Sequence, residues 1–327
     1  MVFRTIIPSK KSTWEISHGD FILSIGSCFA DCISTKLSES ELKVNGNPFG
    51  IIYNPLSIIE NLIQPIDANF NGDNIINQNS RFFHYNFHSE INGNSKADLE
   101  NKIKLVFEKK DHDLKTANYL TITLGTAFVY FQKDKNMPVA NCHKMPSQLF
   151  TKRMLSASEI IDAFETLLDY LKITNPKLKI ILSISPVRHL KDTLESNAVS
   201  KSILRLATWQ LTEKYPDKIS YFPAYEFMMD DLRDYRFYKE DMIHPTPQAE
   251  NYIWERFSET FFSKNTIELN KEISELLASL SHKPFHPNSP EYSQFLLVIQ
   301  DKAKKLNDKV SVKGVLEKLA LKLELYS

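Results

Sequence analysis

The chain has 327 residues, and its 42% apolar and 24% charged content is typical of a soluble globular protein with a sizeable core. Lysine plus arginine and aspartate plus glutamate number 40 each, so net charge gives no reason to expect a nucleic-acid partner. The three cysteines are too few for a disulfide framework, and no apolar run is long enough to cross a bilayer. We therefore predict a cytoplasmic protein that binds neither nucleic acid nor a membrane.

Strand-like and helix-like segments alternate along most of the chain. Apolar runs bounded by turn residues predict buried strands, whereas apolar residues spaced three and four apart predict helices. In chain order, we predict a strand at 21–25, helices at 28–37, 55–64 and 96–115, a strand at 119–124, a helix at 156–171, a strand at 180–184, a helix at 197–215, a strand at 219–222 and a helix at 247–262. This order predicts an α/β fold with a central parallel sheet and helices on both faces.

Two short hairpins are predicted outside that alternation. Aromatic and histidine residues alternate at 81–89, which predicts a hairpin inserted at about 70–95. A second short hairpin is predicted within 128–140. The helix that follows it has Ser158 as its predicted N-cap, because a serine hydroxyl accepts hydrogen bonds from free N–H groups at a helix start.

The composition changes near the C-terminus. After residue 262, lysine, glutamate and leucine predominate, and helical spacing is present at 267–280, 290–306 and 312–325. We therefore predict two parts: an α/β domain over 1–262, which includes the inserted hairpin, and a helical C-terminal extension over 263–327.

The stretch at 24–31 joins the first predicted strand to the first predicted helix. Ser27 follows Gly26 at the carboxyl end of that strand, where ligands bind in open α/β folds and where the N–H groups of the next helix point. We interpret Ser27 as a nucleophile whose own backbone N–H helps to bind an oxyanion. The alternative is an ordinary strand-to-helix turn in which Ser27 is an N-cap.

A second candidate site residue pair is Asp241 and His244, with Pro245 directly after them. A catalytic imidazole needs one nitrogen free towards the nucleophile and the other bonded to a group that fixes its tautomer. An aspartate three residues earlier in a tight loop can supply that second contact. The pair follows the last predicted strand, at the same sheet edge as Ser27, which favours a catalytic pair over a surface turn.

The stretch Gly26-Ser27-Cys28-Phe29-Ala30 resembles the signature from which the GSCFA-domain family takes its name. Blocks similar to others of that family follow in order at 125–127, 141–144, 185–189 and 241–245. The resemblance covers about residues 1–262 and leaves the helical tail uncovered. The family in turn resembles the SGNH/GDSL hydrolases, which implies a three-layer α/β/α sandwich with a central parallel sheet.

The resemblance also implies roles for particular residues. Ser27 would be the nucleophile, His244 the base and Asp241 the group that orients the base. A glycine of the second block would give an oxyanion N–H, and we favour Gly50 over Gly46 for this role.

The chain departs from the hydrolase pattern in two blocks. The third block usually supplies an oxyanion asparagine in a Gly-x-Asn pattern, but here Thr126 and an alanine follow Gly125. Either the Thr126 hydroxyl or the Asn141 amide fills that gap, or the chain is a poor hydrolase, because one lost oxyanion donor costs roughly a hundred- to a thousandfold in rate. In the first block, Cys28 stands at a position where GDSL proteins have a different residue. In addition, no aspartate lies between the glycine and Ser27.

Cysteine chemistry is the main alternative at this position. Cys28 could itself be a nucleophile, but on a helix its side chain would point about 100° away from Ser27, towards the core. Together with Cys32 and the Cys142-His143 pair it does not show the close spacing that is usual for zinc. We therefore predict no metal and no cofactor.

Four further side chains are predicted to bind the substrate. Arg188 and His189 follow a predicted strand, and Arg188 would recognise an anionic or sugar group. His143 and His88 lie in or near the short hairpins. The alternative is that these residues have no part in substrate binding. In that case the neighbouring aromatic side chains cover the core, and the histidines and the arginine lie at the rim of that aromatic cluster.

Taken together, these residues predict an SGNH-like serine esterase that cleaves an O-acyl ester of a small molecule or carbohydrate. The same site would also serve an O-acyltransferase. A catalytically weak ligand-binding or scaffold module is the third possibility, and the missing asparagine favours it. The sequence does not determine the acyl group or the oligomeric state.

Overall fold

The computed structural model describes residues 5–65, 74–282, 284–286 and 289–326. Of the hairpin insertion predicted at about 70–95, residues 70–73 lie outside the described residues. The chain forms two compact units. The first contains 21–34, 45–254 and the residues up to 8, and the second contains 9–20, 35–44 and the residues from 255 onwards.

The strands and helices follow the chain in this order. The strands are β1 (Phe21–Gly26), β2 (Lys43–Gly46), β3 (Ile75–Gln78), β4 (Arg81–His84), β5 (Tyr119–Leu124), β6 (Phe128–Gln132), β7 (Pro138–Val139), β8 (Phe150–Met154), β9 (Lys179–Ile184) and β10 (Ile219–Phe222). The helices are α1 (Cys28–Glu39), α2 (Pro55–Ile63), α3 (Lys96–Thr116), α4 (Ala157–Thr174), α5 (Leu194–Lys214), α6 (Ala224–Glu226), α7 (Pro247–Phe261), α8 (Lys264–Ser281), α9 (Pro290–Asn307) and α10 (Lys313–Tyr326).

A five-stranded sheet in the order β10-β9-β5-β1-β2 forms the centre of the fold. The pairs β1–β5, β5–β9 and β9–β10 are parallel, with Gly26 opposite Thr123 and Thr123 opposite Ser183. Every residue of β5 is buried, as expected for a sheet that helices cover on both faces. The predicted α/β sandwich with a central parallel sheet and a helical C-terminal region is confirmed.

The parallel order brings several strand ends to one edge of the sheet. Strands β1, β5 and β9 end at Gly26, Leu124 and Ile184, and these ends are neighbours because the three strands are adjacent and parallel. A continuous apolar core that includes Leu23, Leu120 and Leu182 holds these strands in place. Polar residues that directly follow the strands are therefore gathered in one region.

Two small antiparallel sheets accompany the central one. Strands β3 and β4 form a hairpin in which Gln78 pairs with Arg81, and the two turn residues Asn79 and Ser80 have positive φ angles of 50° and 62°. The order β7-β6-β8 makes the other sheet. Sequence periodicity predicts its first two strands, but it does not predict β8.

The second unit is built from more than the C-terminal helices. A parallel bridge joins Ile16 to Phe262, and the Thr266 hydroxyl donates a hydrogen bond to the Ile16 carbonyl at 3.1 Å. The Glu41 carboxylate accepts the N–H groups of Gly314 and Val315 at 3.2 and 2.9 Å. These are the unpaired N–H groups of the first turn of α10, so Glu41 caps that helix from a distant part of the chain.

Candidate functional site

Ser27 lies in the turn between β1 and α1, as the sequence predicts, but its side chain is only 1% exposed. Its hydroxyl accepts a hydrogen bond from the Phe29 N–H at 3.3 Å. Its backbone N–H donates to the Thr123 carbonyl at 3.0 Å, and its carbonyl accepts the Ala30 N–H at 2.7 Å. All three polar groups of Ser27 therefore hold the turn together, and its N–H is not directed at a ligand.

Two glycines give this region its shape. Gly26 has a φ of +145°, and a Cβ atom there would lie 2.2 Å from the Thr123 carbonyl oxygen on the neighbouring strand. Gly50 has a φ of +70°, and its Cβ would lie 2.3 Å from the Cβ of His88. Both positions accept only glycine without a backbone shift, because the φ angle and the close neighbour exclude a side chain together.

Asp241 and His244 form a hydrogen-bonded pair in a tight loop before α7. The His244 Nδ1 atom lies 2.7 Å from Asp241 Oδ2, while Asp241 Oδ1 accepts the N–H groups of Ile243 at 2.8 Å and His244 at 3.0 Å. The hydrogen bonds from the His244 backbone and ring, followed by that from Ile243, lower the pKa of Asp241 to about 2. The carboxylate is therefore charged at neutral pH and accepts the Nδ1 proton, which leaves Nε2 unprotonated in the neutral ring.

The Asp241–His244 loop lies beside the segment that follows β9. The Arg188 N–H donates to the Ile243 carbonyl at 3.4 Å, which ties the two loops together. Arg188 lies four residues beyond the end of β9, so this contact joins the His244 loop to the segment that leaves that strand. Among the residues that the structure describes, no hydrogen bond joins the Ser27 hydroxyl to the His244 ring.

The predicted oxyanion donors have partners within the fold. The Gly50 N–H donates to the Asn47 carbonyl at 2.8 Å. The Thr126 hydroxyl lies 3.1 Å from the Ser200 hydroxyl and accepts the Phe128 N–H at 3.1 Å. Like the Ser27 N–H, these groups make hydrogen bonds within the protein. A ligand oxyanion would have to displace one of those bonds before it could accept a hydrogen bond from them.

Asn141 and His143 belong to a polar network beside the small sheets that runs from the exposed Ser89 to the buried His84. The Asn141 amide oxygen accepts the His143 N–H at 2.8 Å, and its amide nitrogen donates to the Ser89 hydroxyl at 3.3 Å. His143 is 4% exposed, and its ring nitrogens lie 3.2 Å from the Ser89 hydroxyl and 2.9 Å from the His84 carbonyl. The predicted substrate role of His143 does not agree with this burial, because both ring nitrogens are already hydrogen-bonded.

His84 is the most perturbed histidine of this network. It is 2% exposed, and its Nδ1 atom accepts the Asn86 N–H at 3.1 Å. Burial is the main cause that lowers the pKa of His84 from 6.5 to about 3, and the charges of His143 and Lys135 add to it. His84 is therefore neutral in the folded protein at any pH above about 3.

We expect His84 to make the fold sensitive to acid. Between its unfolded pKa of 6.5 and its folded pKa of about 3, the unfolded chain binds a proton that the folded chain does not. The contribution of this group to the free energy of unfolding is therefore complete above pH 6.5 and is lost as the pH drops to about 3, by on the order of 5 kcal/mol. Urea unfolding of His84→Gln at several pH values should show a shallower loss below pH 6.5. His112→Gln, which alters an exposed histidine, should keep the slope of the parent protein, and an equal slope in both variants would contradict the assignment.

The other predicted substrate residues lie closer to the sheet edge. The Arg188 guanidinium stacks over the rings of Tyr238 at 4.1 Å and Tyr235 at 5.4 Å, where these residues line a cavity of about 130 Å³. His88 Nδ1 lies 3.4 Å from a carboxylate oxygen of Glu90, which makes it a partner of an exposed acid. Arg188 is thus held in one orientation by aromatic rings at the border of a small cavity.

His189 packs against Tyr53, with the two rings edge to face and their centroids 5.6 Å apart. Its Nε2 atom is buried and has no hydrogen-bond partner in the described part of the chain. Burial is the main cause that lowers the pKa of His189 to about 4, followed by the positive charge of Lys201. His189 is therefore a neutral ring with an unused nitrogen.

Sequence reasoning does not find Lys201, which lies on α5 and is 1% exposed. Its ammonium group donates to the carbonyls of Gly125 and Ser185, both at 2.7 Å, and so joins the residues that follow β5 and β9. Burial lowers the pKa of Lys201 to about 7. The signal available in the sequence is the run of polar residues Asn197, Ser200 and Lys201 on the buried face of α5, where apolar residues are the rule.

Cys28 is the first residue of α1 and is half-buried, so it is not enclosed in the core. The pKa of its thiol is raised, mainly by burial and then by the charge of Asp31, and the smaller opposing effects of nearby N–H groups and of Lys201 do not cancel this. Burial raises the pKa of Tyr53, and the charges of Cys28 and Asp31 add to this. Within the described ranges the Cys28 N–H has no hydrogen-bond partner.

The described residues contain neither a metal-binding cluster nor a membrane-spanning helix. No three histidine, cysteine or acidic side chains converge as a metal site would require, within the part of the chain that the structure describes. No helix among the same residues is both long and apolar enough to cross a membrane.

Comparison with known proteins identifies the family. Residues 21–257 match the GSCFA family, and residues 273–324 match the C-terminal domain of a GSCFA domain protein. No curated protein matches the chain. The first match includes the turn at Ser27, the Lys201 helix and the Asp241–His244 loop. Since it spans well over half of the 327 residues, the chain belongs to the GSCFA family.

Proposed function

We propose that this protein is an acyl-transfer enzyme of the SGNH/GDSL type, which cleaves an O-acyl ester of a small molecule or carbohydrate. The observation that carries the proposal is the 2.7 Å contact between His244 Nδ1 and Asp241 Oδ2, with the carboxylate fixed by two backbone N–H groups. The two backbone bonds are those of an Asx turn, and the ring contact adds the fixed orientation and tautomer that a general base needs. The His244 and Asp241 side chains are 42% and 44% exposed, so a substrate can reach the ring.

In the proposed mechanism, His244 Nε2 takes a proton from a nucleophile in the Ser27–Cys28 turn, for which the sequence predicts Ser27. The nucleophile attacks the acyl carbon, and Asp241 stabilises the imidazolium that forms. The proton then passes from His244 to the leaving alkoxide. Water next gives a proton to His244, its oxygen bonds to the acyl carbon, and the bond from that carbon to the nucleophile breaks, which releases the carboxylic acid while His244 returns the proton to the nucleophile. The unpaired Cys28 N–H at the start of α1 is the backbone donor available to the oxyanion, and the positive end of the helix supports it.

Arg188 and His189 are the proposed substrate-binding residues. Both follow β9, and the Arg188 N–H is bonded to the loop that carries His244. A guanidinium held over Tyr238 presents its N–H groups in a fixed plane, which suits a carboxylate or a sugar hydroxyl. We propose that the enzyme acts in the cytoplasm, because three cysteines are too few and odd in number for a disulfide framework, which fits a reducing compartment.

Transfer of the acyl group to an acceptor other than water uses the same residues and is a second outcome of the proposal. A binding module without turnover is the alternative from a different class. The internal hydrogen bond between Thr126 and Ser200 favours that alternative, because it occupies the hydroxyl that would replace the missing asparagine.

The proposal is tested by turnover of acetyl and longer acyl esters with the full chain. We expect hydrolysis of at least one activated ester, and a loss of about a hundredfold or more in kcat/KM for His244→Ala. His112→Ala removes an exposed histidine of α3 and is the matched control. A folded protein that binds esters but turns over none of them, or equal rates for His244→Ala and the parent, would reject the enzyme in favour of the binding module.

A further inference from the structure

We infer that the substrate is an ester that carries a carboxylate, and that Arg188 binds this carboxylate in the small cavity beside the His244 loop. This inference rests on the proposed acyl-transfer function and deepens it, because it replaces the open choice between a carboxylate and a sugar hydroxyl by the carboxylate. It follows from the charge, the size and the position of the cavity.

The Arg188 side chain carries a half-buried charge that no acidic residue of the described chain neutralises. Its guanidinium carbon lies 4.1 Å from the centre of the Tyr238 ring and 5.4 Å from that of the Tyr235 ring. In the described part of the chain, no aspartate or glutamate forms an ion pair with it. The ring faces attract the cation, but they do not accept hydrogen bonds along the edge of its N–H groups. A carboxylate pairs with that edge through two parallel hydrogen bonds, whereas a neutral hydroxyl would leave the charge uncompensated.

The neighbouring arginine and aspartate side chains are already paired with one another. Arg233 forms an ion pair with the Asp230 carboxylate. The Asp234 carboxylate accepts the Arg236 N–H at 2.9 Å and lies 3.9 Å from the guanidinium of the same residue. Among the described residues that line the cavity, Arg188 is therefore the cation left without a carboxylate. A carboxylate matches its single charge, whereas a phosphate group carries more than one charge and would need a second unpaired cation.

The cavity at Arg188 accepts one small group. Its volume is about 130 Å³, less than half of the roughly 300 Å³ at which pockets for whole ligands begin. The buried residues Met228 and Leu232 line it, and an ion pair is stronger beside such apolar walls than in water. Tyr235, which also lines the cavity, is exposed, so a carboxylate can enter from solvent. The rest of the substrate would stay outside the cavity.

Backbone contacts hold the Arg188 site next to the His244 loop. The Arg188 N–H donates to the carbonyl of Ile243, the residue before His244, at 3.4 Å. Tyr238, over which the guanidinium stacks, forms an antiparallel bridge with Pro245, the residue after His244. A carboxylate bound at Arg188 would therefore hold the ester in a defined position relative to the His244 ring, which favours the reaction by orientation.

The test compares esters that differ only in the carboxylate, with the full chain as the enzyme. The pair para-acetoxybenzoate and para-acetoxybenzamide places the charge on the alcohol side, and the monophenyl ester of adipic acid and its amide place it on the acyl side. Release of the phenol is measured in each case. We expect kcat/KM of the parent to favour the acid over the amide by about tenfold or more in at least one pair. In Arg188→Met this preference should disappear through a higher KM for the acid, while kcat and KM for the amide stay close to those of the parent.

Two further substitutions control for the loss of a stacked arginine. Arg153→Met is the matched control, because Arg153 also stacks over an aromatic ring, that of Phe131 at 4.7 Å, and pairs with Glu159 at 2.7 Å. It should keep the preference of the parent. Tyr238 acts as a positioning residue, since its ring holds the guanidinium in place. Tyr238→Phe keeps a ring and should keep the preference for the acid, whereas Tyr238→Leu should lower it.

The outcomes separate this inference from the function on which it rests. Equal kcat/KM values of the parent for acid and amide in both pairs overturn the inference and leave the esterase in place. An equal loss for acid and amide in Arg188→Met overturns it as well, because a residue that only holds the loops together would act on both esters.

If the folded parent turns over no ester, the proposed function fails and calorimetric titration with para-acetoxybenzoate decides the inference. Weaker binding by Arg188→Met than by the parent supports the carboxylate site, now in a binding module. Equal binding by the two proteins, or no binding by either of them, rejects the site.

Discussion

Asp241→Asn is expected to lower kcat for ester turnover by about a thousandfold or more while the protein stays folded. The asparagine oxygen can still accept the N–H groups of Ile243 and His244, so the loop keeps its shape. Its amide group, however, donates to His244 Nδ1 instead of accepting from it. The ring then carries its proton on Nε2, the nitrogen that has to receive the proton of the nucleophile.

The matched control is Asp169→Asn, which removes an exposed carboxylate that accepts a hydrogen bond from Lys172 at 2.7 Å on α4. It should leave kcat and the free energy of unfolding within experimental error of the parent. The ring ¹⁵N resonances of His244 report the tautomer directly. A decrease in kcat below threefold, together with an unchanged tautomer, would show that Asp241 does not orient a catalytic base.

Gly26→Ala is expected to lower the free energy of unfolding by about 3 kcal/mol or more. The added Cβ would lie 2.2 Å from the Thr123 carbonyl oxygen, and the φ of +145° at this position disfavours any side chain. Strand β1 would have to move away from β5, which would also break the hydrogen bond from the Ser27 N–H to Thr123. Urea unfolding measures the loss.

Gly19→Ala is the control for this experiment, because a Cβ atom at Gly19 would meet no heavy atom within 4 Å. Its effect should stay within about 0.5 kcal/mol. If Gly26→Ala were as stable as Gly19→Ala, the close approach of the two strands at Thr123 would not exist in solution.

The central strands and most helices follow from local sequence, because a buried parallel strand is a short apolar run and an amphipathic helix repeats its apolar residues every three to four positions. Helix ends are less certain. Ser158 is a plausible cap for α4, but Ser156 caps it, since Glu159 reaches back to the Ser156 N–H and completes a capping box. Two serines two residues apart give the same local signal, and only the side-chain geometry decides between them.

Strands β2 and β8 are not predictable in the same way. Strand β2 has the sequence Lys43-Val44-Asn45-Gly46, without an apolar run. It forms because its backbone hydrogen-bonds to β1 at the edge of the sheet. Strand β8 begins with the buried Phe150 and then alternates exposed and half-buried residues, and its polar content resembles that of a loop. Tertiary context determines both strands.

The site shows the same division between local and distant information. Asp241 and His244 are three residues apart, so their contact is predictable from spacing alone. The burial of Ser27 depends on how its turn pairs with Thr123, and Lys201 reaches the carbonyls of Gly125 and Ser185 from a helix more than 170 residues beyond Ser27. The burial of His143 likewise depends on the His84 carbonyl, which no local pattern indicates.

The cap that Glu41 provides for α10 has a consequence for synthesis on the ribosome. Glu41 and the two N–H groups that it accepts are 273 and 274 residues apart, so the chain has to be almost complete before this contact can form. Contacts between residues so far apart in the sequence are slow to form. Early segments therefore stay without their partners until the late segments have been synthesised. A C-terminal fragment made separately would begin α10 without its cap, because it lacks Glu41.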